Sequence, residues 1–600
     1  MEKLRYSHNS ISIKDVELRD YVAKPLKSKA VKYVQGFDTE TLDGYCRLIA
    51  CSDGSHLLTN GLGPICDYLT KAAYRDSHNF FFNLRYDAQA VLKYLPKDAL
   101  TELYETSKTI WSGIKFFYIP EKLLKLTKDK HVYAFYDVAQ YYEGSLENNS
   151  QAYLGEGKDT GGLDRVMIGT SAQYWSDNQA QIIKYCIQDA KLCQGLARIL
   201  NNTVTQDIGL FPRKYTSKAS LSKDYFRTHV PLPDVRELPR YALSLSMACY
   251  AGGRFEVIRK GHFSKVWGID ICSAYPTQIA ALPDITTGRW RKVKAHNPDA
   301  LLGYYLARID APPARMGPIP VRVGPGTIIY PVGQWYGYIT KQEYECFSRD
   351  IDIQIMRGCE YYDKEPTYPF KGHIQHIYDL KARTEKSNFR YDLCKIIMNS
   401  LYGAFYEKQP SKPGYYAGLL FNPVYASVIT AGTRCQLWDI LRKYPKDTIG
   451  TATDGVLLTT DPGYTKSKAL GSWSLDDQGE TTIIRSGIYR IGGKTKNRGL
   501  SKVRHLKTPQ GVYQDLFEYI LACPRQTNYP ITISRPLNLG ECLTQVKTKS
   551  PDMINTWFEY TYDIDINRDQ KRIWQGEFKQ GGDIFSTSLD SRPIILGPHK

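Results

Sequence analysis

The sequence predicts a multidomain protein of mixed α/β and α+β class, on three observations. Its 600 residues are enough for several domains with large cores. Residues 31–200 alternate strand-like runs with helical runs, a pattern typical of an α/β domain. Helical periodicity returns at 373–405 and 424–443, whereas the Pro- and Gly-rich stretch 295–335 disfavours long helices. The polar stretch 201–218 is predicted to be a linker.

The composition favours a polyanionic partner. Lys and Arg number 79 against 62 Asp and Glu, which gives a formal net charge of +17 and a pI near 9.0. This balance suits nucleic acid or an anionic membrane surface. Residues 1–6 lack the apolar core of a signal peptide, and no apolar run is long enough to span a bilayer. We therefore expect no membrane association.

The cysteines and tyrosines add two weaker expectations. The 13 cysteines are scattered, without a Cys-x-x-Cys pair or a cluster at zinc spacing. Reduced thiols in a cytoplasmic setting are therefore expected, in the cytoplasm of a host cell if the chain is viral. The 46 tyrosines suit stacking on bases, although packing in cores is the ordinary role of most tyrosines.

Acidic residues in the first 200 positions form a candidate metal site. Asp38 and Glu40 end an apolar strand, and their i, i+2 spacing puts both carboxylates on one face. A solvated strand end would show the same pattern. However, Asp87 follows a second apolar run, and Tyr185 and Asp189 stand at i, i+4 on a helix. Together they are the parts of a two-metal phosphodiesterase, with Mg²⁺ or Mn²⁺ activating a water that Tyr185 orients.

A second pair of acids lies downstream. Asp270 ends a strand-like run, and Asp454 stands between apolar runs like the turn of a β-hairpin. Two aspartates brought together on a sheet hold two Mg²⁺ ions for phosphoryl transfer. A strand cap and a turn aspartate are the structural alternatives for each residue alone.

One helix face suits a nucleoside triphosphate. Lys395, Asn399 and Tyr402 stand at i, i+4 and i+7, so they share a face that offers a cation, an amide and an aromatic ring. An amphipathic helix with one snorkelling lysine is the alternative. Arg383 precedes Lys395 across a turn at 387–388, so two short antiparallel helices would present both cations to one triphosphate.

Read in order, these motifs resemble those of family B DNA polymerases that carry a 3′–5′ exonuclease domain. The chain shows D-T-E-T, N-L-R-Y-D, Y-C-I-Q-D, Y-A-G-G, D-I-C-S-A-Y-P, K-I-I-M-N-S-L-Y-G and T-A-T-D between position 38 and about position 502. The N-S-L-Y-G and S-x-Y-P elements are the specific ones. The resemblance implies an RNase H-like exonuclease domain followed by a right-hand polymerase domain of palm, fingers and thumb.

The resemblance also implies domain bounds. They are the 3′–5′ exonuclease domain at 1–205, the linker and first part of the palm at 206–299, an insertion similar to terminal-protein region 1 at 300–372, short fingers at 373–405, the second part of the palm with a shortened second insertion at 406–508, and the thumb at 509–600.

The family's functional residues carry over position by position. The implied exonuclease residues are the metal ligands Asp38, Glu40 and Asp189, the catalytic acid Asp87, Tyr185 beside the attacking water, and Asn83 at the single-stranded 3′ end. The implied polymerase residues are the metal ligands Asp270 and Asp454, and Tyr275, Arg383, Lys395, Asn399 and Tyr402 around the incoming nucleotide. Tyr275 would stack under the sugar and exclude a 2′-hydroxyl. Each active site would use two Mg²⁺ or Mn²⁺ ions.

Several features are similar to the protein-primed branch of this family. The short fingers and the room for an insertion at 300–372 are two of them. The third is a Y-x-G-G element, which in that branch contacts the template, although a plain turn is the alternative. The residues that we expect at the DNA from this element and from the helix after N-S-L-Y-G are Tyr250, Gly252, Gly253, Arg254, Thr430 and Arg434.

Three departures from the branch stand out. Ala452 replaces the first of the two usual acids in T-A-T-D. The exonuclease lysine of the branch has no clear position, since only Ser145 and Leu146 match that region in part. Residues 485–507 carry eight Lys and Arg and no acid, which predicts a phosphate groove containing Lys494, Lys496 and Arg498, although a solvated charge run is the alternative.

We therefore expect a monomeric DNA polymerase with proofreading, primed by a terminal protein, that replicates a viral or linear-plasmid genome. Its partners would be primer-template DNA, single-stranded DNA and dNTPs. A primer-independent polymerase is an alternative, because K-T-K-N-R-G at 494–499 is similar to the K-T-R-G of that group. A two-metal nuclease that lacks synthesis and a single-strand-binding protein are the other two.

Overall fold

The computed structural model describes residues 12–27, 32–159, 161–324, 326–411, 413–500, 506–545 and 550–597. In this part of the chain, a mixed sheet with a long helix against it forms the N-terminal half. A largely antiparallel sheet with helices and a strand-rich insertion forms the rest. The predicted mixed multidomain class is confirmed.

The N-terminal sheet holds the first acidic motif. Val34–Leu42 pairs in parallel with His78–Phe81, which pairs in parallel with His131–Asp137. The helix Ala172–Asn202 lies across Val34–Leu42, so closely that a Cβ added at Gly36 would be 2.1 Å from the carbonyl oxygen of Ala190. The remaining strands are Tyr45–Cys51, His56–Leu58, Lys108–Trp111, Ile114–Ile119 and Leu123–Lys128, and the remaining helices are Leu62–Leu69, Leu84–Leu92, Lys97–Thr106, Leu146–Leu154 and Arg165–Thr170.

The central sheet holds the second pair of acids. Its strands run in the order Arg254–Val257, Thr448–Thr453, Gly455–Leu458, Arg259–Ile271, Trp473–Arg485, Ile488–Ile491 and Lys494–Asn497. The hairpin predicted around Asp454 is confirmed, because that residue connects Thr448–Thr453 to Gly455–Leu458.

A separate sheet fills the predicted insertion and extends beyond it on both sides. Its strands run in the order Arg289–Val293, Asp352–Tyr362, Leu302–Ala311, Val332–Thr340 and Ile595–Leu596, and the hairpin Val321–Gly324 with Thr327–Ile329 projects from it. The first and last of these strands lie outside 300–372. The insertion is therefore a folded unit that is joined to the C-terminus, since Val332–Thr340 pairs in parallel with Ile595–Leu596.

Helices cover the central sheet where periodicity predicted them. Lys371–Ala382 and Phe389–Ala404 form the expected helical pair, and Pro423–Lys443 reproduces the predicted 424–443. Between the last two, the hairpin Lys408–Ser411 with Gly414–Ala417 pairs with Val16–Glu17 near the N-terminus. The other helices of this half are Lys218–His229, Arg240–Cys249, Ala274–Ala280, Lys341–Phe347, Leu516–Ala522 and Leu539–Thr544.

The C-terminal segment is not one unit, in contrast to the predicted thumb at 509–600. Asn528–Pro536 and Trp557–Asp565 pair in a small sheet with Leu506–Thr508 and Gly511–Tyr513. The chain then returns to the central sheet, where Leu589–Arg592 pairs with Arg259–Ile271. The fully buried Arg572 anchors this return, since its guanidinium donates to the Glu256 carboxylate and the Arg315 carbonyl oxygen.

Two smaller differences concern element ends. The predicted linker 201–218 begins inside a helix, because Ala172–Asn202 continues through Asn202 into the turn at 203–207. The strand predicted to end at Asp38 and Glu40 continues to Leu42, since it runs over Val34–Leu42.

One apolar core joins the two halves. It includes Phe80 and Leu196 of the N-terminal half together with Ile279, Leu393 and Val424 of the other half. All 13 cysteines are free thiols. Among the described residues, no helix is both long enough and apolar enough to cross a membrane.

Candidate functional site

The first acidic site lies between the N-terminal sheet and two helices. Asp38 and Glu40 extend from one strand, Asp189 from the helix Ala172–Asn202, and Asp87 from the first turn of another helix. The Thr39 hydroxyl donates to Asp87 Oδ1 at 2.7 Å, and this bond orients the carboxylate. The structure thus brings all four predicted exonuclease acids together.

The crowding of these carboxylates shifts their protonation. Burial, followed by repulsion from Asp189 and Asp87, raises the pKa of Asp38 well above its ordinary value. Burial and Asp189 raise the pKa of Glu40 to about 8. Burial also raises the pKa of Asp87 to about 7, although the Thr39 hydrogen bond opposes this shift. The carboxylates therefore repel one another when they are ionised, and a bound cation would reduce this repulsion.

Lys158 supplies a cation to this site. Its ammonium bonds to the carboxylate of Asp189 and donates to the Tyr185 hydroxyl at 3.2 Å. Burial by itself lowers the pKa of Lys158, but Asp189 and Asp38 outweigh it, so the pKa is raised and the lysine stays charged. Lys158 is a residue of this site that the sequence motifs do not predict. It lies in a loop between helices, where no periodicity marks it.

A further acid, Asp137, holds the backbone near this site and adds to its negative charge. Its Oδ1 accepts from the backbone N–H groups of Asn83 and Ala139, each at 2.9 Å. Burial raises its pKa to about 7, and its charge adds to the repulsion on Asp87. Asn83 has a left-handed backbone (φ 71°) and is exposed.

These residues fit divalent metals in their chemistry. The donors are carboxylate oxygens, and the buried Asp189 Oδ1 has no hydrogen-bond partner. In the described part of the chain, however, no three His, Cys, Asp or Glu side chains already converge on one metal position. Metal binding would thus require carboxylate rotation and the loss of the protons that the raised pKa values retain.

The second acidic site lies at the end of two neighbouring strands. Asp270 pairs with Gly455, and the backbone N–H of Ile271 donates to the Asp454 carbonyl oxygen at 3.0 Å. Burial, together with repulsion from Asp476 and Asp454, raises the pKa of Asp270 to about 6. Burial also raises the pKa of Asp454. The two predicted polymerase acids are therefore adjacent.

The backbone next to this pair is strained and tightly packed. Thr453 has φ 66°, a left-handed conformation that is unfavourable for a β-branched residue and that turns the chain into Asp454. A Cβ added at Gly253 would be 2.6 Å from the Tyr275 hydroxyl and 2.9 Å from Thr453 Cγ2. Gly253 is thus required by packing against the acidic site.

Asp476 is an acid of this site that the motifs did not reveal. On the strand Trp473–Arg485, the register shifts between the pairs Ile269–Leu475 and Gly268–Asp477, so Asp476 occupies a bulge. Leu475 packs on the core, and Asp476 is exposed on the opposite face. Its charge contributes to the raised pKa values of both Asp270 and Asp454. A β-bulge has no sequence signature, so the sequence does not predict that Asp476 belongs to this site.

The predicted nucleotide face is present. Lys395 is exposed and Asn399 and Tyr402 are partly exposed along one side of the helix Phe389–Ala404. The Tyr402 ring packs on the Tyr275 ring at a centroid distance of 4.2 Å. The charge of Lys395 opposes the rise that burial causes in the pKa of Asp454. Lys395 therefore lies near the second acidic site.

The other helix of the pair also brings cations towards this site. Arg383 directly follows Lys371–Ala382 and is exposed. Two residues earlier, Lys381 Nζ donates to Ser273 Oγ, inside the D-I-C-S-A-Y-P motif, at 3.1 Å.

The Y-A-G-G element is held from within the protein. The buried Arg434 donates to the carbonyl oxygens of Ala251 and Gly252 at 2.6 and 2.8 Å, and Glu343 pairs with its guanidinium at 2.7 Å. The Tyr250 ring stacks on Tyr406 at 3.7 Å. Arg434 therefore positions the element.

Three residues expected at the DNA are buried, which differs from the prediction. Arg254 is 2% exposed, pairs with Glu256 and donates to the Gly317 carbonyl oxygen. Thr430 and Arg434 are 0% and 2% exposed. Their polar groups already bond within the protein, so a direct DNA contact is not open to them in this arrangement.

The basic stretch ends in an exposed edge strand. Lys494, Lys496 and Arg498 are exposed at Lys494–Asn497 and just after it. Lys494 pairs with Asp477, and the Arg498 guanidinium lies 4.4 Å from the centroid of the Phe255 ring. The predicted contributions of Lys502 and Arg504 lie outside the described residues.

The structure thus combines an acidic site in an α/β domain with a second acid pair near a helix whose face offers a cation, an amide and an aromatic ring. Residues 170–412 match the family model described as DNA polymerase type B, organellar and viral. This match covers 243 of the 600 residues, so the similarity to the family is shown for that part of the chain.

Two relatives named as DNA polymerases cover much of the chain. A "Probable DNA polymerase" of Ascobolus immersus is 23% identical over 484 residues, which are 71% of this chain and 38% of that protein. The "DNA polymerase" of Acidianus bottle-shaped virus is 22% identical over 473 residues, which are 71% of this chain and 70% of that protein. The chain thus spans well under half of the fungal relative.

The fold is that of phi29 DNA polymerase. The phi29 enzyme complexed with primer-template DNA and incoming nucleotide substrates gives a TM-score of 0.59 at 13% identity, over 89% of this chain and 100% of that chain. The phi29 enzyme complexed with single-stranded DNA gives 0.50 at 14% identity, over 81% and 91%. The predicted mixed multidomain fold is confirmed by this similarity.

Proposed function

We propose that the chain synthesises DNA on a template and removes misincorporated nucleotides by 3′–5′ hydrolysis. The observation that carries this proposal is the adjacency of Asp270 and Asp454 on paired strands, with the charge of Lys395 close to Asp454. The family match and the phi29-like fold support it.

In synthesis, the primer 3′-hydroxyl attacks the α-phosphorus of the nucleotide, a new phosphodiester bond forms, and pyrophosphate leaves. Asp270 and Asp454 would hold the divalent metals, and Lys395 and Arg383 would neutralise the leaving phosphates. Tyr275, packed on Tyr402, would stack under the sugar and exclude a 2′-hydroxyl. Mg²⁺ or Mn²⁺, when bound at either acidic site, would activate the attacking oxygen and stabilise the leaving oxygen.

In proofreading, water attacks the phosphorus of the terminal phosphodiester, the bond to the 3′-oxygen of the preceding nucleotide breaks, and a nucleoside 5′-monophosphate leaves while that oxygen takes up a proton. Asp38, Glu40 and Asp189 would hold the metals, and Asp87 would support them. The Tyr185 hydroxyl, already bonded to Lys158, would orient the water. The Lys158 ammonium would stabilise the negative charge that develops on the phosphate. Asn83 would hold the unpaired 3′ end.

Protein priming is the finer part of the proposal. It rests on the match to the organellar and viral family model and on the folded insertion between Arg289–Val293 and Asp352–Tyr362. A terminal protein would supply the first hydroxyl. The free thiols suit a reducing compartment such as the host cytoplasm.

Site-specific variants test the two activities separately. Asp270→Asn or Asp454→Asn should lower primer extension by more than about 10³-fold and leave single-strand degradation intact. Asp38→Ala with Glu40→Ala should do the reverse. Extension and degradation are measured on labelled primer-template and single-stranded DNA with Mg²⁺. Loss of both activities in both folded variants would disprove the two-site assignment.

Initiation needs its own assay. The chain is incubated with template, dNTPs and Mg²⁺ in three arms: with an oligonucleotide primer, with a protein encoded beside its gene, and with neither. Product attached covalently to the added protein supports protein priming. Product in the last arm contradicts it and favours primer-independent initiation.

A further inference from the structure

Two stretches near the C-terminus, 537–545 and 550–556, pack on the helix that carries Asp87. They lie between the two long strands of the small C-terminal sheet, and we call them the C-terminal connection. Their apolar side chains share one core with those of the helix Leu84–Leu92, which has Asp87 in its first turn. The residues that the connection contributes to this core are Leu537, Leu539, Cys542 and Ile554. The connection therefore contacts an element of the first acidic site directly.

Two buried amides join the connection to this helix. Asn555 Nδ2 donates to the Tyr86 carbonyl oxygen at 2.8 Å, and Gln89 Nε2 donates to Asn555 Oδ1 at 3.0 Å. Gln89 Oε1 in turn accepts from the backbone N–H of Leu539 at 2.7 Å. Gln89 and Asn555 are each 3% exposed. The amides thus hold the helix at Tyr86, the residue before Asp87.

Lys93 extends the same contact to the neighbouring strand. Its buried ammonium donates to the carbonyl oxygens of Asp43 at 2.7 Å and of Ile554 at 3.0 Å. Asp43 follows the strand Val34–Leu42, which belongs to the first acidic site. A Cβ added at Gly44 would be 2.7 Å from the Ile554 carbonyl oxygen. The connection therefore packs against both elements that place the acids of this site.

The position of Asp87 depends on where the helix lies. The Thr39 hydroxyl donates to Asp87 Oδ1 at 2.7 Å, and the hydroxyls of Thr41 and Tyr86 are 2.8 Å apart. These bonds join the helix to the strand of the acidic site, and the two amides hold it from the connection. Outer contacts of this kind orient the groups that hold a metal.

We propose that Gln89 and Asn555 are positioning residues of the 3′–5′ exonuclease, through which the C-terminal connection places Asp87 for hydrolysis. This rests on the proposed function of the first acidic site. The alternative is that the two amides only stabilise the packing of the connection on the N-terminal half.

The experiment removes the amides from the full chain. Asn555→Gly deletes both hydrogen bonds of the side chain, and glycine suits the left-handed backbone at this position (φ 63°). Gln89→Met keeps an unbranched side chain of similar length without its hydrogen bonds. The matched control is Asn567→Gly. Asn567 also makes two hydrogen bonds through its amide, but to the backbone of Phe578 within the C-terminal segment.

Three measurements separate positioning from stability. Degradation of single-stranded DNA gives kcat and KM, and extension of a paired primer reports on the other site. Electron paramagnetic resonance measures Mn²⁺ affinity in chains that also carry Asp270→Asn and Asp454→Asn, so that the signal reports on the first acidic site.

We expect Asn555→Gly and Gln89→Met to lower kcat for degradation about 10- to 100-fold, the range for groups that orient metal ligands. Mn²⁺ affinity should fall in parallel, because Asp87 would no longer be held in place. KM for single-stranded DNA and primer extension should stay close to those of the parent. Asn567→Gly should match the parent in degradation and Mn²⁺ affinity, even if it lowers the thermal stability as much.

Two outcomes would overturn the proposal. One is equal degradation and Mn²⁺ affinity in the parent, Asn555→Gly and Gln89→Met. The other is a loss that primer extension shares or that Asn567→Gly reproduces, since stability alone would then explain it. The parent keeps this test separate from that of the proposed function. A parent that does not degrade single-stranded DNA disproves the exonuclease, whereas a degrading parent with unaffected variants disproves only the positioning role.

Discussion

The two acidic sites differ in where their positive charge comes from. In the N-terminal site, Lys158 bonds directly to Asp189 and Tyr185, within the folded domain. In the central site, the nearby cation Lys395 belongs to a separate helical pair.

The difference is also visible in protonation. Burial and repulsion raise the pKa of Glu40 to about 8 even with Lys158 present, whereas that of Asp270 rises only to about 6. We infer that the first site keeps a permanent counter-charge because its acids are crowded. The second is less crowded, so its cations can be reserved for the substrate.

The largest effect is expected when the cation of the first acidic site, Lys158, is removed. Lys158→Met should lower 3′–5′ degradation by about 10²-fold, because the site loses a charge aimed at the reacting phosphate. Primer extension should be unaffected. Degradation of single-stranded DNA and extension are measured at equal protein concentrations.

The exposed Lys191→Met, on the same helix as Asp189, serves as the control and should degrade DNA normally. If Lys158→Met lowers extension as much as degradation, the cation is not specific to the first site.

A smaller effect is expected from the bulge residue of the central site. Asp476→Asn should raise the Mg²⁺ concentration for half-maximal extension about tenfold, because Asp476 would help to hold the metals directly or through water. Ala452→Asp, two residues before Asp454 on the same hairpin, should restore part of this loss. Mn²⁺ binding followed by electron paramagnetic resonance measures the affinity independently of activity.

Glu480→Gln, an exposed position on the same strand as Asp476, is the matched control. Equal metal requirements for Asp476→Asn and Glu480→Gln would show that Asp476 takes no part in the site.

The smallest effect concerns stability and pH. Folding raises the pKa values of Glu40, Asp87 and Asp270 to about 8, 7 and 6, so the folded chain binds more protons than the unfolded chain between about pH 4 and pH 8. In EDTA, the free energy of unfolding should therefore fall as pH rises across this window. Thermal unfolding should show a decrease of about a few degrees, and Mg²⁺ should reverse it most at pH 8.

Two variants assign the parts of this pH dependence to the sites. Glu40→Gln should flatten the profile near pH 7–8, and Asp270→Asn should flatten it near pH 5–6. A profile in EDTA that rises with pH would contradict the raised pKa values of both sites.

Local pattern predicted much of the fold and of the sites. The hairpin at Asp454, the strand end at Asp270 and the helix that carries Lys395, Asn399 and Tyr402 lie where the sequence pattern predicts them. Asp38 and Glu40 lie on a strand as predicted, although inside it and not at its end. These features depend on i, i+2 and i, i+4 geometry, which neighbouring residues determine. The helix Pro423–Lys443 is predicted, as 424–443, for the same reason.

Other features depend on contacts between distant parts of the chain. Arg434 is basic and close to the motifs, yet it is buried against Glu343 and holds the Y-A-G-G backbone. Within the predicted thumb, the strand Leu589–Arg592 pairs with the central sheet, which is far away in sequence. The sequence does not distinguish an arginine on the surface from one that is buried in an ion pair. It also does not show which sheet a short strand will join.

The sequence by itself determined the fold class, the order of the two candidate acidic sites and the acids that motif spacing marks in each, because motif spacing and periodicity are local. Only the tertiary structure decided which other charged residues lie close to those acids. Lys158 bonds to Asp189 from a loop, Asp476 acts electrostatically on Asp270 from a bulge, and Lys381 bonds to Ser273 from another helix. Each of these contacts joins segments whose relative position is set by packing, which no local pattern encodes.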